Sequence, residues 1–266
     1  MWHELRLFLI ALQFLTRVPV PAGVGWKAEW LNDSARHFPA VGLLVGGFAA
    51  LVLWAAAHLW SAPVAVLLSM AATVWLTGGF HEDGLASTCD GLGGTAVRER
   101  ALEIMKDSRL GTHGAVTLLW VLALKAAALH SLATRDLLAT LAALPLAHAG
   151  SRAAVVLLMR WLPYGGDAEQ AKAKPLAQQD DGLAFAIAML WALLAAASAA
   201  VFLPGAALLA AAMAVAITTL CMARWVQRRL GGYTGDTLGA TQQVAELAVY
   251  LALAAALAHG ASLQGG

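Results

Sequence analysis

Residues 77–114 read TGGFHEDGLASTCDGLGGTAVRERALEIMKDSRLGTHG, the longest polar interruption in a chain built mostly of Ala, Leu and Val. Six carboxylates fall within it: Glu82, Asp83, Asp90, Glu99, Glu103 and Asp107. On a helix, Asp83 and Asp90 share one face with Ser87 between them, and Glu103 and Asp107 share another. Like charges at that spacing repel and weaken a helix. A cation relieves the repulsion, and acidic oxygen ligands suit magnesium, manganese or calcium. Glycines at 84, 91, 93 and 94 permit close backbone approach. Lys106 and Arg109 flank the second pair, where they can meet phosphate. The competing reading is a solvated loop with ordinary ion pairs one helical turn apart.

Outside this stretch the sequence is that of a membrane protein. The 266 residues are 60% hydrophobic and 12% charged, against about 25% charged in a soluble domain. The mean hydropathy is +0.70. These values predict an all-α, polytopic bundle forming a single integral-membrane domain over residues 1–266. The net charge of +1 gives no nucleic-acid signal. Cys89 and Cys221 make no disulfide or metal framework.

The apolar run from Leu7 to Leu15 is too short to span a bilayer. It reads as an interfacial or re-entrant helix ended by Pro19 and Pro21, and only weakly as a signal peptide. Residues 22–37 read as a polar connection. Spans follow near 38–60, 63–79, 115–132, 137–160, 183–203, 206–223 and 243–260, about seven in all. Polar loops lie at 80–112, at 161–182 (with Asp167, Lys172, Lys174, Asp180 and Asp181) and at 224–242. Those loops and the N-terminus fall on one side and collect nearly all the Lys and Arg, which predicts a cytoplasmic acidic stretch. The opposite side has only tight turns. A transporter needs access from both sides and acids near midspan, whereas an enzyme with a cytosolic substrate needs only one.

Lys125, Arg152 and Glu246 lie within or near spans, where a charge costs about 2.5–3.5 kcal/mol on insertion scales. Arg152 and Glu246 are expected to line a polar cavity or to be structural. Lys125 is expected to be structural. His58, His130 and His148 sit at no ligand spacing and read as packed or interfacial.

Four motifs together resemble one family. HEDGLASTCDGLGG (81–94), ALEIMKDSRLGTHG (101–114), ALQFLTRVPVP (11–21) and LGGYTGDTLGAT (230–241) are similar to those of cobalamin synthase, the adenosylcobinamide-GDP ribazoletransferase family of bacteria. The resemblance implies a magnesium-dependent inner-membrane enzyme with its site facing the cytoplasm. It would join adenosylcobinamide-GDP to α-ribazole or its 5′-phosphate and release GMP, with chemistry like that of the CDP-alcohol phosphotransferases. Glu82, Asp83, Ser87, Asp90 and Glu103 are then the metal candidates. Asp107 and His81 are candidates for the base, and Lys106 and Arg109 for phosphate. The 5′-hydroxyl of ribazole is the expected nucleophile. Arg152, Gly235, Asp236 and Thr237 are candidates for substrate binding, with a tight turn capped by Asp236 as the competing account of the last three. Arg17, Arg224, Arg228 and Arg229 are weaker candidates that also serve topology or lipid contact. Besides substrates and the bilayer, a second copy of the chain or other cobalamin-pathway enzymes are candidate partners.

One position departs from the family pattern H-x-D-G-L-A-D-x-x-D-G: Ser87 stands where the pattern has aspartate. Aspartate would complete a face of three carboxylates at i, i+4 and i+7. Serine leaves one negative charge fewer, so weaker metal binding and turnover are expected. This departure favours one alternative, a non-catalytic scaffold of a corrinoid assembly complex. Another alternative is a CDP-alcohol-type phospholipid synthase, which would share the metal chemistry but take lipid.

Overall fold

The computed structural model describes residues 2–25, 27–166 and 182–262. The charged residues expected at 167–181 lie outside them. In chain order the helices are α1 (Trp2–Leu15), α2 (Ala28–Ser34), α3 (Phe38–Ala57), α4 (Ala62–Thr77), α5 (Phe80–Gly94), α6 (Arg98–Lys106), α7 (Thr112–Arg135), α8 (Leu137–Trp161), α9 (Gly182–Ala199), α10 (Gly205–Leu230) and α11 (Gly235–Ser262). Short 3-10 turns at Ala22–Val24 and Ala35–His37 flank α2. Among the described residues, 6 helices are long and apolar enough to cross a membrane, or 7 if α4 and α5 are taken as one bent span. The chain is a polytopic helical membrane protein.

The bundle is built around α8. Of its most apolar stretch 72% is buried, against 17% for α9. Lipid gives helices no hydrophobic drive to associate, so close backbone approach between small residues must hold them. Gly42 and Gly46 on α3 provide it. A Cβ at Gly42 would strike the His148 carbonyl, and one at Gly46 would lie 2.5 Å from Pro145 Cα. Pro145 sits inside α8, and α3 is pressed against that point.

The decisive bend lies between α4 and α5. Gly78 and Gly79 have φ of 72° and 71°, left-handed values that residues with a Cβ rarely adopt. Gly78 caps α4, and Gly79 opens α5. The two helices differ in direction by 87°. α4 alone is about 24 Å long at 1.5 Å per residue, short of a hydrocarbon core of about 30 Å. The acidic stretch therefore does not continue the preceding span. It turns across the end of the bundle.

Three other boundaries differ from the sequence reading. α1 ends at Leu15, before either proline, because the Thr16 hydroxyl donates to the Leu12 carbonyl (2.6 Å) and accepts from the Val18 amide (3.2 Å). Within the connection read at 22–37, Ala22–Val24, Ala28–Ser34 and Ala35–His37 are helical rather than plain polar chain. Arg36 Nη1 and His37 Nε2 grip the two Glu4 oxygens at 3.2 and 3.1 Å and tie α1 to the start of α3. The supposed loop 224–242 is mostly helix, since α10 runs on to Leu230 and α11 starts at Gly235. Arg229 near the end of α10 donates to the Leu92 and Thr95 carbonyls, which anchors this extension to α5.

Candidate active site

Two motifs far apart in sequence meet at a pair of glycines. A Cβ on Gly84 of α5 would lie 2.8 Å from the Asp236 carbonyl and 3.1 Å from Gly239 Cα. A Cβ on Gly239 of α11 would lie 3.2 Å from Gly84 Cα. The two backbones touch there, so Asp83 and Asp236 come to the wall of one cavity of about 690 Å³. The start of α11 is fixed by its own threonines. The Thr234 amide donates to Thr237 Oγ1 (2.8 Å), and the Thr237 amide donates to Thr234 Oγ1 (3.3 Å). Beside it the 163–165 segment runs parallel to 232–234, with the Gly165 amide on the Tyr233 carbonyl at 2.8 Å and the Tyr233 amide on the Pro163 carbonyl at 2.9 Å. Burial pushes the Tyr233 hydroxyl up to about 12, with the neighbouring Tyr164 adding to the shift, so it stays neutral.

The cavity gathers most of the polar candidates. His81, Asp83 and Ser87 come from α5, and Lys106, Asp107 and Ser108 from the end of α6 and the link after it. Arg152 comes from α8, and Gly235 and Asp236 from α11. Asp107 is held by Arg109, whose Nε and amide both lie 3.0 Å from Asp107 Oδ1 and whose Nη2 bonds Oδ2. These hydrogen bonds bring the carboxyl down to about 2. The same pairing raises the Arg109 guanidinium further above its ordinary range.

Five candidates are used elsewhere. Glu82 faces away from this cavity; its Oε1 accepts from Gln243 Nε2 at 3.0 Å, and it lines a water-sized inner space with Lys125, His148 and Glu246. Asp90 is buried and accepts from the Gly111 amide (2.7 Å) and the Gly114 amide (2.8 Å), so it caps the start of α7. Glu103 is exposed and pairs with Arg100 at 2.7 Å. Thr237 is fully buried in the α11 cap. Arg109 reaches the cavity only through Asp107.

Lys125 and Glu246 prove to be partners, at 2.7 Å. Gln242 Nε2 adds a bond to Glu246 (2.7 Å), and Lys125 Nζ donates to Gln243 Oε1 (3.1 Å). His148 joins them, with Nδ1 3.5 Å from Glu246 and 3.4 Å from Arg152 Nη1. Arg152 thus lines the cavity and also ends this interior network.

The sequence reading missed the apolar wall. Phe14, Phe38 and Phe80 line the same cavity, with Leu15, Val155 and Leu238. Phe14 lies in the ALQFLTRVPVP motif and Phe80 just before His81. That adjacency to two motifs was the available signal.

Among the described residues, no group of three or more His, Cys, Asp or Glu side chains is set to hold a metal ion. The cavity instead offers three carboxylates, Asp83, Asp107 and Asp236, and the Ser87 hydroxyl; Asp107 is engaged by Arg109, so Asp83 and Asp236 are the carboxylate donors considered with Ser87. That donor set fits magnesium, which keeps several waters and takes one or two carboxylates together with substrate phosphates.

Comparison with known proteins gives the family of the chain. The family model described as cobalamin-5-phosphate synthase matches residues 7–254. An adenosylcobinamide-GDP ribazoletransferase of Leptothrix cholodnii is 62% identical over 251 residues, covering 94% of this chain and 95% of that protein. Proteins of the same name from Shewanella amazonensis and Vibrio cholerae are 46% and 43% identical, covering 94% and 97% of this chain and 95% and 96% of their own lengths. No solved structure matches the chain.

Proposed function

The chain belongs to the cobalamin-5-phosphate synthase family, and on that premise we propose that it transfers the adenosylcobinamide phosphoryl group of adenosylcobinamide-GDP to α-ribazole or its 5′-phosphate. The observation that carries this reading is the meeting of Asp83, Asp236, Lys106, Asp107 and Arg152 around one cavity. Phosphoryl transfer is mainly positioning and charge stabilisation, and this wall carries both signs of charge.

Asp83 and Asp236, with Ser87, would hold magnesium. The ion would neutralise diphosphate oxygens and stabilise the charge on the departing group. Lys106 and Arg152 bring cations to the same space and orient the diphosphate. A ribose hydroxyl of the acceptor attacks the phosphorus attached to cobinamide. The new P–O bond forms as the bond to the bridging oxygen breaks, and GMP leaves with that oxygen. An acceptor already phosphorylated at 5′ has no free hydroxyl there, so its attacking oxygen is a secondary hydroxyl rather than the 5′ oxygen expected from the sequence. The hydroxyl proton goes to Asp107 or His81, both of which line the cavity. Asp107 is the base we favour. It accepts the proton once Arg109 turns from it to phosphate, because the bonds from Arg109 make it a weak base beforehand.

The cavity facing the cytoplasm of a bacterial inner membrane is supported by charge. Arg98, Arg100, Lys106, Arg109, Arg228 and Arg229 lie around the polar end of the bundle where α5, α6 and the end of α10 gather. The test is release of GMP from adenosylcobinamide-GDP and α-ribazole by the protein in liposomes, with and without magnesium. Asp83→Asn and Asp236→Asn should each reduce release at least a hundredfold. Equal release from both variants and the parent would overturn the assignment.

A further inference from the structure

The cavity has two chemically distinct walls, and the proposed reaction assigns only the charged one. The other is a corner made of three aromatic rings from separate segments: Phe14 of α1, Phe38 of α3 and Phe80 of α5. Phe14 and Phe80 meet edge to face at 5.3 Å, and Phe14 and Phe38 are near parallel at 6.0 Å. Phe80 also meets the His81 ring at 5.4 Å. Phe80 lines the cavity and remains 42% exposed, so its ring is not fully covered by its neighbours. Aromatic rings in a recess beside charged groups are the usual platform for a flat ligand ring.

Three flat bodies take part in the proposed reaction, and the recess discriminates among them. A cavity of about 690 Å³ suits a ligand of ordinary drug size. The corrin macrocycle, with its side chains and upper ligand, is well beyond drug size, which places it at the mouth. Guanine has polar edges that need hydrogen-bond partners if buried. The rings of Phe14, Phe38 and Phe80 offer such an edge no hydrogen-bond partner of their own. The dimethylbenzimidazole base of α-ribazole has methyl groups and a single free ring nitrogen on its edges, so it loses little on entering an apolar recess.

We propose that the Phe14–Phe38–Phe80 recess is the seat of the aromatic base of the acceptor nucleoside, which rests on the function proposed above. The ring stacks there, and the ribose hydroxyls point toward the charged wall that holds the diphosphate. The recess therefore sets acceptor specificity and keeps the corrin and guanine outside.

The test varies one substrate at a time in the full-length protein in liposomes. Loss of base–aromatic stacking should raise KM for α-ribazole roughly tenfold or more in Phe80→Ala and Phe14→Ala. KM for adenosylcobinamide-GDP should stay within about twofold of the parent, because phosphate positioning lies on the other wall. A rise confined to adenosylcobinamide-GDP, or equal rises for both, would assign the recess to the corrinoid or the guanine and overturn the proposal. Binding to the parent protein gives a second measurement that does not depend on a variant folding. Free 5,6-dimethylbenzimidazole should displace bound α-ribazole, and adenine should not. Equal displacement by both would also overturn the proposal. Failure of the parent to bind either substrate would instead remove the proposed function, a separate result.

Discussion

Lys125 of α7 and Glu246 of α11 form an ion pair at 2.7 Å, with side chains only 7% and 3% exposed in the membrane-spanning part of the bundle. Neither reaches solvent, so each neutralises the other. Glu82, Gln242, Gln243 and His148 extend the pair into a network that reaches α5 on one side and Arg152 on the other. Removing one charge leaves the other buried and uncompensated, at a cost of about 3–5 kcal/mol. Lys125→Met should therefore lower the unfolding midpoint in detergent sharply. The double variant Lys125→Met/Glu246→Leu should recover much of that loss, because neither charge is then stranded. A double variant as unstable as the sum of the single ones would show that the residues act independently.

Asp90 behaves as a cap. It takes two amides at the start of α7, and Gly114 must lack a side chain because a Cβ there would lie 2.5 Å from Asp90 Oδ2. Asp90→Ala should cost about 1–2 kcal/mol of stability, as lost caps do. The magnesium concentration giving half-maximal activity should not change. A large rise in that concentration at unchanged stability would make Asp90 a metal ligand instead.

Gly84 holds the two motifs in register. Gly84→Ala places a methyl 2.8 Å from the Asp236 carbonyl, and relief requires α5 and α11 to separate. The expected loss of stability is modest, about 1–3 kcal/mol for an overpacked contact. The expected loss of activity is much larger, since Asp83 and Asp236 move apart. Thermal unfolding and GMP release on the same preparation separate the two effects.

Parts of this arrangement were legible before any coordinates. The spacing of Asp83 and Ser87 puts both on one face of α5, and the structure puts both on the cavity. The sequence reading nevertheless kept Glu82 among the metal candidates, although adjacent helical residues point about 100° apart. Glu82 faces Gln243 accordingly. The polytopic helical bundle followed from hydropathy, although the structure has six helices long and apolar enough to cross a membrane among the described residues, and seven only if α4 and α5 make one bent span. Two features were not legible. The 87° turn depends on both Gly78 and Gly79 being left-handed, and glycine in a sequence does not announce its φ. The aromatic recess draws single rings from α1, α3 and α5, and no local pattern joins residues so far apart.

Arg109 should control the acid limb of the reaction. Its hydrogen bonds depress the Asp107 carboxyl to about 2, below the ordinary value of 3.8. A depressed carboxyl stays ionised until the pH falls through its lowered value. Arg109→Ala removes the cause, so Asp107 should begin to protonate at higher pH. The acid limb of the pH–rate profile should move upward toward the ordinary carboxylate range, with activity at neutral pH also reduced if Arg109 meets phosphate. An acid limb unmoved by the substitution would exclude Asp107 as the titrating base.

Ser87 offers the sharpest test of the metal site. It lies one turn after Asp83, half-buried on the same cavity wall. Its hydroxyl is a neutral donor, so of the three proposed ligands only Asp83 and Asp236 bring negative charge to the ion. An aspartate at this position would add a third charge at i+4 from Asp83. Without magnesium the like charges repel, and the substitution should lower stability slightly, by a few tenths of a kcal/mol. With magnesium that repulsion becomes attraction for the ion. Ser87→Asp should then lower the magnesium concentration needed for half-maximal GMP release and raise turnover. It should also make the unfolding midpoint more dependent on magnesium, because a ligand that binds only the folded state stabilises it by mass action. Isothermal titration with magnesium alone, on the parent and the variant, reads the effect without relying on catalysis. Equal affinity in the two proteins would show that Asp83 and Asp236 already supply the charge the ion requires, and that position 87 is not a ligand.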